Sequence, residues 1–202
     1  MQFTFIFLID IIKENYKQGN SMKGIIFTSL QEMVEDKFGI QEWDGLLENV
    51  ELPSHCIYTA GGTYDDAELV ELVTKLSARS NIPVPKLIEA YGEYLFPILA
   101  IKHPQFISKG MSFKEFLQTI DQVIHVEVHK LYPEAGLPAI SYEDSGQPDQ
   151  LVLLYRSPRK FCSLATGLIN GASQHFKTPV TINHTKCMHS GSDHCRLELK
   201  FA

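Results

Sequence analysis

A chain of 202 residues, 44% hydrophobic and 21% charged, has the composition of an ordinary globule and suits one large domain or a small pair. Its 18 basic residues against 24 acidic ones, a net charge of −6, argue against a general nucleic-acid or anionic-membrane binder, since both need a basic footprint. No run of 18 or more apolar residues occurs, so no membrane span is expected.

Residues 1–21 differ in character from the rest of the chain. Phe3 to Ile12 is an apolar tract broken by Asp10 and followed by the polar KENYKQGNS, without the basic n-region and small-residue cleavage site of a secretory signal. Residues 1–21 are read as an amino-terminal extension or upstream start, and 22–202 as a single working domain. An interfacial helix is disfavoured because the tract has no basic face. From Met22 to about Lys130 the pattern is helical. Ile26, Leu30, Met33 and Val34 form one stripe that Gly39 ends, and Trp43, Leu46 and Leu47 mark a short helix around Glu42 to Val50. After a loop at Gly61-Gly62, Asp65 to Ser80 carries Leu69, Leu72, Val73 and Leu76 inward. Pro83 and Pro85 bracket the start of another helix, which Pro97 is expected to kink or end. Ser112 and Glu115 have capping-box spacing before a long helix that stops at Tyr132-Pro133. His125 lies on the margin of its buried arc, and periodicity alone does not single it out. His125 and His129, four apart, also form a pair able to chelate a metal directly.

After Pro138 the chain changes character. Ala139 to Tyr142 and Leu151 to Tyr155 read as a hairpin, Lys160 to Phe176 as a helix, and Thr178 to His184 and Cys195 to Phe201 as the last two strands. The fold class is therefore α+β: a helical amino-terminal half followed by a four-stranded antiparallel sheet with one long helix.

Two constellations carry chemistry. Tyr155, Ser157 and Arg159 alternate at a strand end, and Pro158 favours extended backbone at Ser157, so the three side chains are expected on one side. Two hydroxyls and a guanidinium suit an acidic ligand, and the same alternation also suits a solvated strand face. The second is the cysteine set. His184, Cys187 and Cys195 can meet where two strands turn, and Cys162 could complete a tetrahedron, the donor set of a closed structural zinc site. His189 and His194 compete as ligands in the same loop, and disulfide bonding is the other reading, disfavoured without a signal peptide. Cys56 is left over.

Tyr155-x-Ser157-x-Arg159 resembles the signature of the H-NOX (haem nitric oxide/oxygen binding) family, in which it holds the two haem propionates, and the resemblance covers nearly all of 22–202. It implies haem b held between the halves, with His125, seven residues before Tyr132, as the iron ligand. The spacing from Asp121 to His125 is one residue longer than in animal relatives and fits marine bacterial members. The same resemblance makes Ile26 a distal-wall residue and Pro138 a residue that presses on the haem. A subset of bacterial members carries Cys162, His184, Cys187 and Cys195 in this order as zinc ligands. Oxygen-binding members place a tyrosine where this chain has Leu164, which implies an apolar pocket for nitric oxide and carbon monoxide, unless Tyr91 or Tyr94 supplies a donor. The expected output is regulation in trans of a histidine kinase or a diguanylate cyclase or phosphodiesterase, in a cytoplasmic setting. Rival readings are a haem or zinc enzyme, for which no nucleophile-base-orienter set is seen, and a haem-free zinc-containing interaction or small-molecule-binding module.

Overall fold

The computed structural model describes residues 21–48, 50–133 and 136–202, so the Phe3 to Ile12 tract lies outside the described residues. The first strand, β1, spans Ser21–Lys23 and pairs antiparallel with β2, Thr63–Asp65. Sequence patterning does not show this pair. It brings Ser21 into the folded unit, one residue before the expected boundary.

Helix α1 runs Gly24–Phe38 and stops at Gly39, whose φ of 97° is costly for residues with a side chain. Gly39 also opens α2, Ile40–Leu47, so this helix begins earlier than expected and buries Trp43 and Leu46. In α1 the fully buried positions are Phe27, Leu30, Met33 and Val34, while Ile26 is half-buried at the edge. Helix α3, Asp66–Ser80, is capped by the Asp65 carboxylate accepting from the Ala67 amide at 2.9 Å. It buries Leu69, Leu72, Val73 and Leu76, as the stripe requires.

Helix α4, Val84–Lys102, continues past Pro97, so of the two expected effects, a kink or an end, the proline does not end the helix. Proline removes one N–H from the ladder, and the Glu93 carbonyl that loses this partner lies against Gly171 of α7, Cys162–Phe176. The two helices approach so closely that a Cβ on Gly167 would sit 2.0 Å from the Glu89 carbonyl oxygen.

The predicted long helix is interrupted. Its capping box is present, with the Ser112 amide donating to Glu115 at 2.8 Å. It then divides into α5, Phe113–Thr119, a π-helical turn over Ile120–His125, and α6, Val126–Leu131. A π turn holds more residues than an α turn, so the helical stripe shifts in phase across Ile120–His125.

The four-stranded antiparallel sheet has the order β3-β4-β6-β5, with β3 Ala139–Glu143, β4 Gln150–Arg156, β5 Val180–Lys186 and β6 Cys195–Phe201. Leu151, Leu153 and Tyr155 face Leu199, Leu197 and Cys195 across the central pair, all buried. Helix α7 starts at Cys162 rather than Lys160 because Lys160 adopts a left-handed φ of 54°. Strand β5 starts after Lys177 and Thr178 have closed the helix, and extends past His184 through a bulge.

The described residues form two apolar cores. One lies among α1 to α4, the other between the sheet, α5 and α7, and Leu168 of α7 packs against both. Because the α4–α7 contact joins them, Gly167→Ala is expected to destabilise the fold by roughly 2 kcal/mol or more. Gly61→Ala, where a Cβ meets nothing within 4 Å, should be near neutral. Chemical denaturation of the two variants checks this.

Candidate functional site

Strand β4 ends at Arg156, and the next four residues form a turn closed by the Lys160 amide donating to the Ser157 carbonyl at 3.1 Å. The extended geometry expected from sequence therefore does not last to Arg159; the turn brings the three residues together instead. Tyr155 and Ser157 are each 3% exposed, and the Arg159 side chain 9%. Burial pushes the Tyr155 phenol up to about 12, opposed by its hydrogen bond with Ser157. The trio is buried, so it is not a solvated strand face.

Arg159 is also engaged by the protein itself. Its Nε donates to Asp66 at 2.5 Å, Nη2 to the Ser21 carbonyl at 2.8 Å, and Nη1 to the Gly136 carbonyl. Burial raises the Asp66 pKa, and the guanidinium opposes it. Sequence reasoning missed Asp66, which it placed only at the start of a helix; its pairing with Arg159 is made by the fold.

His125 sits on the π turn with its side chain 17% exposed and Nδ1 buried without a hydrogen-bond partner. The Asp121 carboxylate lies 3.6 Å from Nδ1, beyond bonding reach, and accepts the Ile140 amide at 3.0 Å. Burial lowers the His125 pKa, with Asp121 opposing, which favours the neutral imidazole, the form that ligates metals. His129 is exposed. Pro138 is half-buried just before β3, and Leu164 is half-buried at the edge of the helical core, as is Ile26. Tyr91 is fully buried in that core and donates its hydroxyl to the Ile26 carbonyl at 2.5 Å, while Tyr94 lies near Lys37.

These residues fit a haem by their donor chemistry. A half-buried imidazole with a buried, unpartnered Nδ1 stands on one element, and two hydroxyls beside a guanidinium stand on another. Two surface cavities, of about 340 and 210 Å³, are lined by other residues. The donor set, not a hollow, carries the fit.

The cysteine cluster is clearer. The donor atoms of Cys162, His184, Cys187 and Cys195 all lie within 4.8 Å of one another, and Sγ of Cys162 is 4.0 Å from Sγ of Cys187. A tetrahedral ion with thiolate bonds of about 2.3 Å needs sulfurs about 3.8 Å apart, so the group could hold a metal with little movement. The bulge after His184 and the one-turn helix Met188–Ser190 shape the loop, and the Met188 amide donates to Cys195 Sγ at 3.3 Å. The competing ligands are engaged elsewhere: His189 Nε2 with the Lys160 carbonyl at 2.8 Å, and His194 with Asp193 at 2.7 Å. All four cysteines are free, which removes the disulfide reading, and Cys56 lies outside the cluster. Burial beside two other thiols pushes Cys162 up to about 12.

Comparison with known proteins identifies the family. The Haem-NO-binding family model matches residues 23–184. An H-NOX protein from S. oneidensis, solved in the Fe(II)NO ligation state, is 38% identical, with 90% of this chain and 99% of that one covered at a TM-score of 0.82. The unliganded Fe(II) H-NOX protein from K. algicida is 32% identical, covering 90% and 97%, at 0.83. Soluble guanylate cyclase 89Db of Drosophila melanogaster is 26% identical over 140 residues, 68% of this chain, which spans only 20% of that protein's length. The fold and the extent of these matches place the chain in the Haem-NO-binding family, whose H-NOX domains bind haem and sense diatomic gases.

Proposed function

We propose that this chain is a haem-based nitric oxide sensor that regulates a signalling partner in trans. The observation that carries this reading is the buried, unpartnered Nδ1 of His125 on an irregular turn of its helix, within a family fold that binds haem. Relatives from S. oneidensis have been solved with nitric oxide and with carbon monoxide on ferrous iron, which supports both gases as ligands here. Haem, with its iron held by the His125 imidazole, would supply the centre that takes up a diatomic gas.

The chain's own residues do the rest. Tyr155, Ser157 and Arg159 would hold the propionates, with Arg159 shared between them and Asp66. Pro138 would press on the macrocycle, and Ile26 and Leu164 would form an aliphatic distal wall. Bound oxygen carries partial negative charge and needs a donor over the iron, whereas nitric oxide does not. Tyr91 already spends its hydroxyl on the Ile26 carbonyl, so it is no such donor. A displacement of His125 would fall on the π turn that carries it, and Asp121, which accepts the Ile140 amide, would pass it to β3. The partner is a histidine kinase or a diguanylate cyclase or phosphodiesterase in the cytoplasm, with residues 1–20 an extension of the sensing domain. Among the described residues no helix is long and apolar enough to cross a membrane. The cysteine cluster is a structural zinc site, its four ligands leaving no open position.

The purified reduced protein should show a strong Soret band that moves on addition of nitric oxide or carbon monoxide, and should form no lasting oxygen complex in air. A colourless protein that retains zinc would instead support the haem-free module. His125→Gly should abolish the response of the partner's activity to nitric oxide; an unchanged response overturns the mechanism. Elemental analysis should find one zinc per chain, and Cys195→Ser should lower zinc retention by at least roughly tenfold.

A further inference from the structure

The metal cluster and the carboxylate-binding turn are contiguous. Cys195 is the direct cross-strand partner of Tyr155. Cys162, another ligand, stands three residues beyond Arg159 and opens α7. Between them lies Lys160, held at a left-handed φ of 54°, a conformation that a residue with a side chain adopts only when its surroundings enforce it. The enforcing contact comes from the cysteine loop: His189 Nε2 is 2.8 Å from the Lys160 carbonyl, and a carbonyl only accepts, so His189 donates. His189 stands on the one-turn helix that Cys187, a third ligand, begins. The turn is thus braced at its strand partner, at its exit and at its left-handed corner, each time from a cluster residue or its near neighbour.

We infer that the Cys162, His184, Cys187, Cys195 cluster and the Tyr155, Ser157, Arg159 turn are one thermodynamic unit, with His189 as the positioning residue that joins them. A metal ion in the cluster tightens the turn's grip on the acid groups of its ligand. The inference rests on the haem and zinc reading above. By linkage the effect is reciprocal: haem must raise the affinity for zinc by the factor by which zinc raises the affinity for haem.

The test uses the full chain. Haem loss to a scavenging apoglobin is timed for zinc-loaded and chelator-stripped protein, and zinc affinity is measured against a chromophoric chelator with and without haem. Stripping zinc should speed haem loss by about tenfold and, with haem association unchanged, haem should tighten zinc binding by a similar factor. Since stripping can also unfold the domain, zinc-loaded variants provide the second measurement. His189→Ala, with its zinc content and circular dichroism unchanged, should speed haem loss by roughly threefold or more, and His189→Gln, which keeps a side-chain donor, should restore much of the grip. Equal haem loss with and without zinc, or a His189→Ala protein that holds haem as the parent does, overturns the coupling and leaves the sensor reading intact. A protein that binds zinc and no haem overturns both.

Discussion

The buried ion pair between Arg159 and Asp66 is the constraint on which the site depends. Two charges removed from water are costly to hold, and the loss is recovered only where further polar groups satisfy them. Arg159 meets that condition by reaching Asp66 at the start of α3, the Ser21 carbonyl in β1 and the Gly136 carbonyl before β3. One guanidinium therefore ties the two-stranded ribbon, the helical half and the approach to the sheet to the turn that carries Tyr155 and Ser157. This places Arg159 where the two halves of the fold meet, and it makes the turn's geometry a property of the whole domain.

The two cores explain why such a tie is needed. Each half buries its own apolar residues, Phe27, Leu30 and Leu72 in one and Phe113, Leu153 and Leu197 in the other. Contact between them runs through α4 and α7, whose glycines let the backbones approach closely, with Leu168 shared. Separate cores joined along one helix pair can shift relative to one another with less disruption than a single continuous core, because interdigitated side chains resist small displacements.

Much of this is legible in the sequence. The stripe of α3, the alternation of β6 and the capping box at Ser112 are local patterns, and each stands where the pattern puts it. The four cluster ligands follow from spacing and family resemblance, and the fold brings those four donors together while turning His189 and His194 elsewhere. What escapes is non-local or sub-periodic. Strands β1 and β2 are three residues each and meet across about 40 residues of chain, too short for alternation to show. The π turn is a small defect in an otherwise helical pattern. The Arg159–Asp66 pair joins residues 93 apart, and nothing in the Asp65-Asp66 doublet says which carboxylate will cap and which will pair.

The same structure shows which element is poised to move. Neither the π turn nor α6 contains a fully buried residue, and Val123 and Val126 are 46% and 44% exposed. Upstream, α5 buries Phe113, Phe116 and Leu117, and the Tyr142 hydroxyl fastens the Leu117 carbonyl to the sheet. The helix is thus anchored at its start, and beyond Leu117 the Asp121–Ile140 bond joins it to the sheet. An element with few buried contacts opens at lower free energy than the packed elements around it. His125 stands on this weakly packed stretch while the turn that would share its ligand is braced by Arg159 and the cysteine loop. A displacement at His125 would therefore meet less resistance along its own helix than a displacement at the turn would.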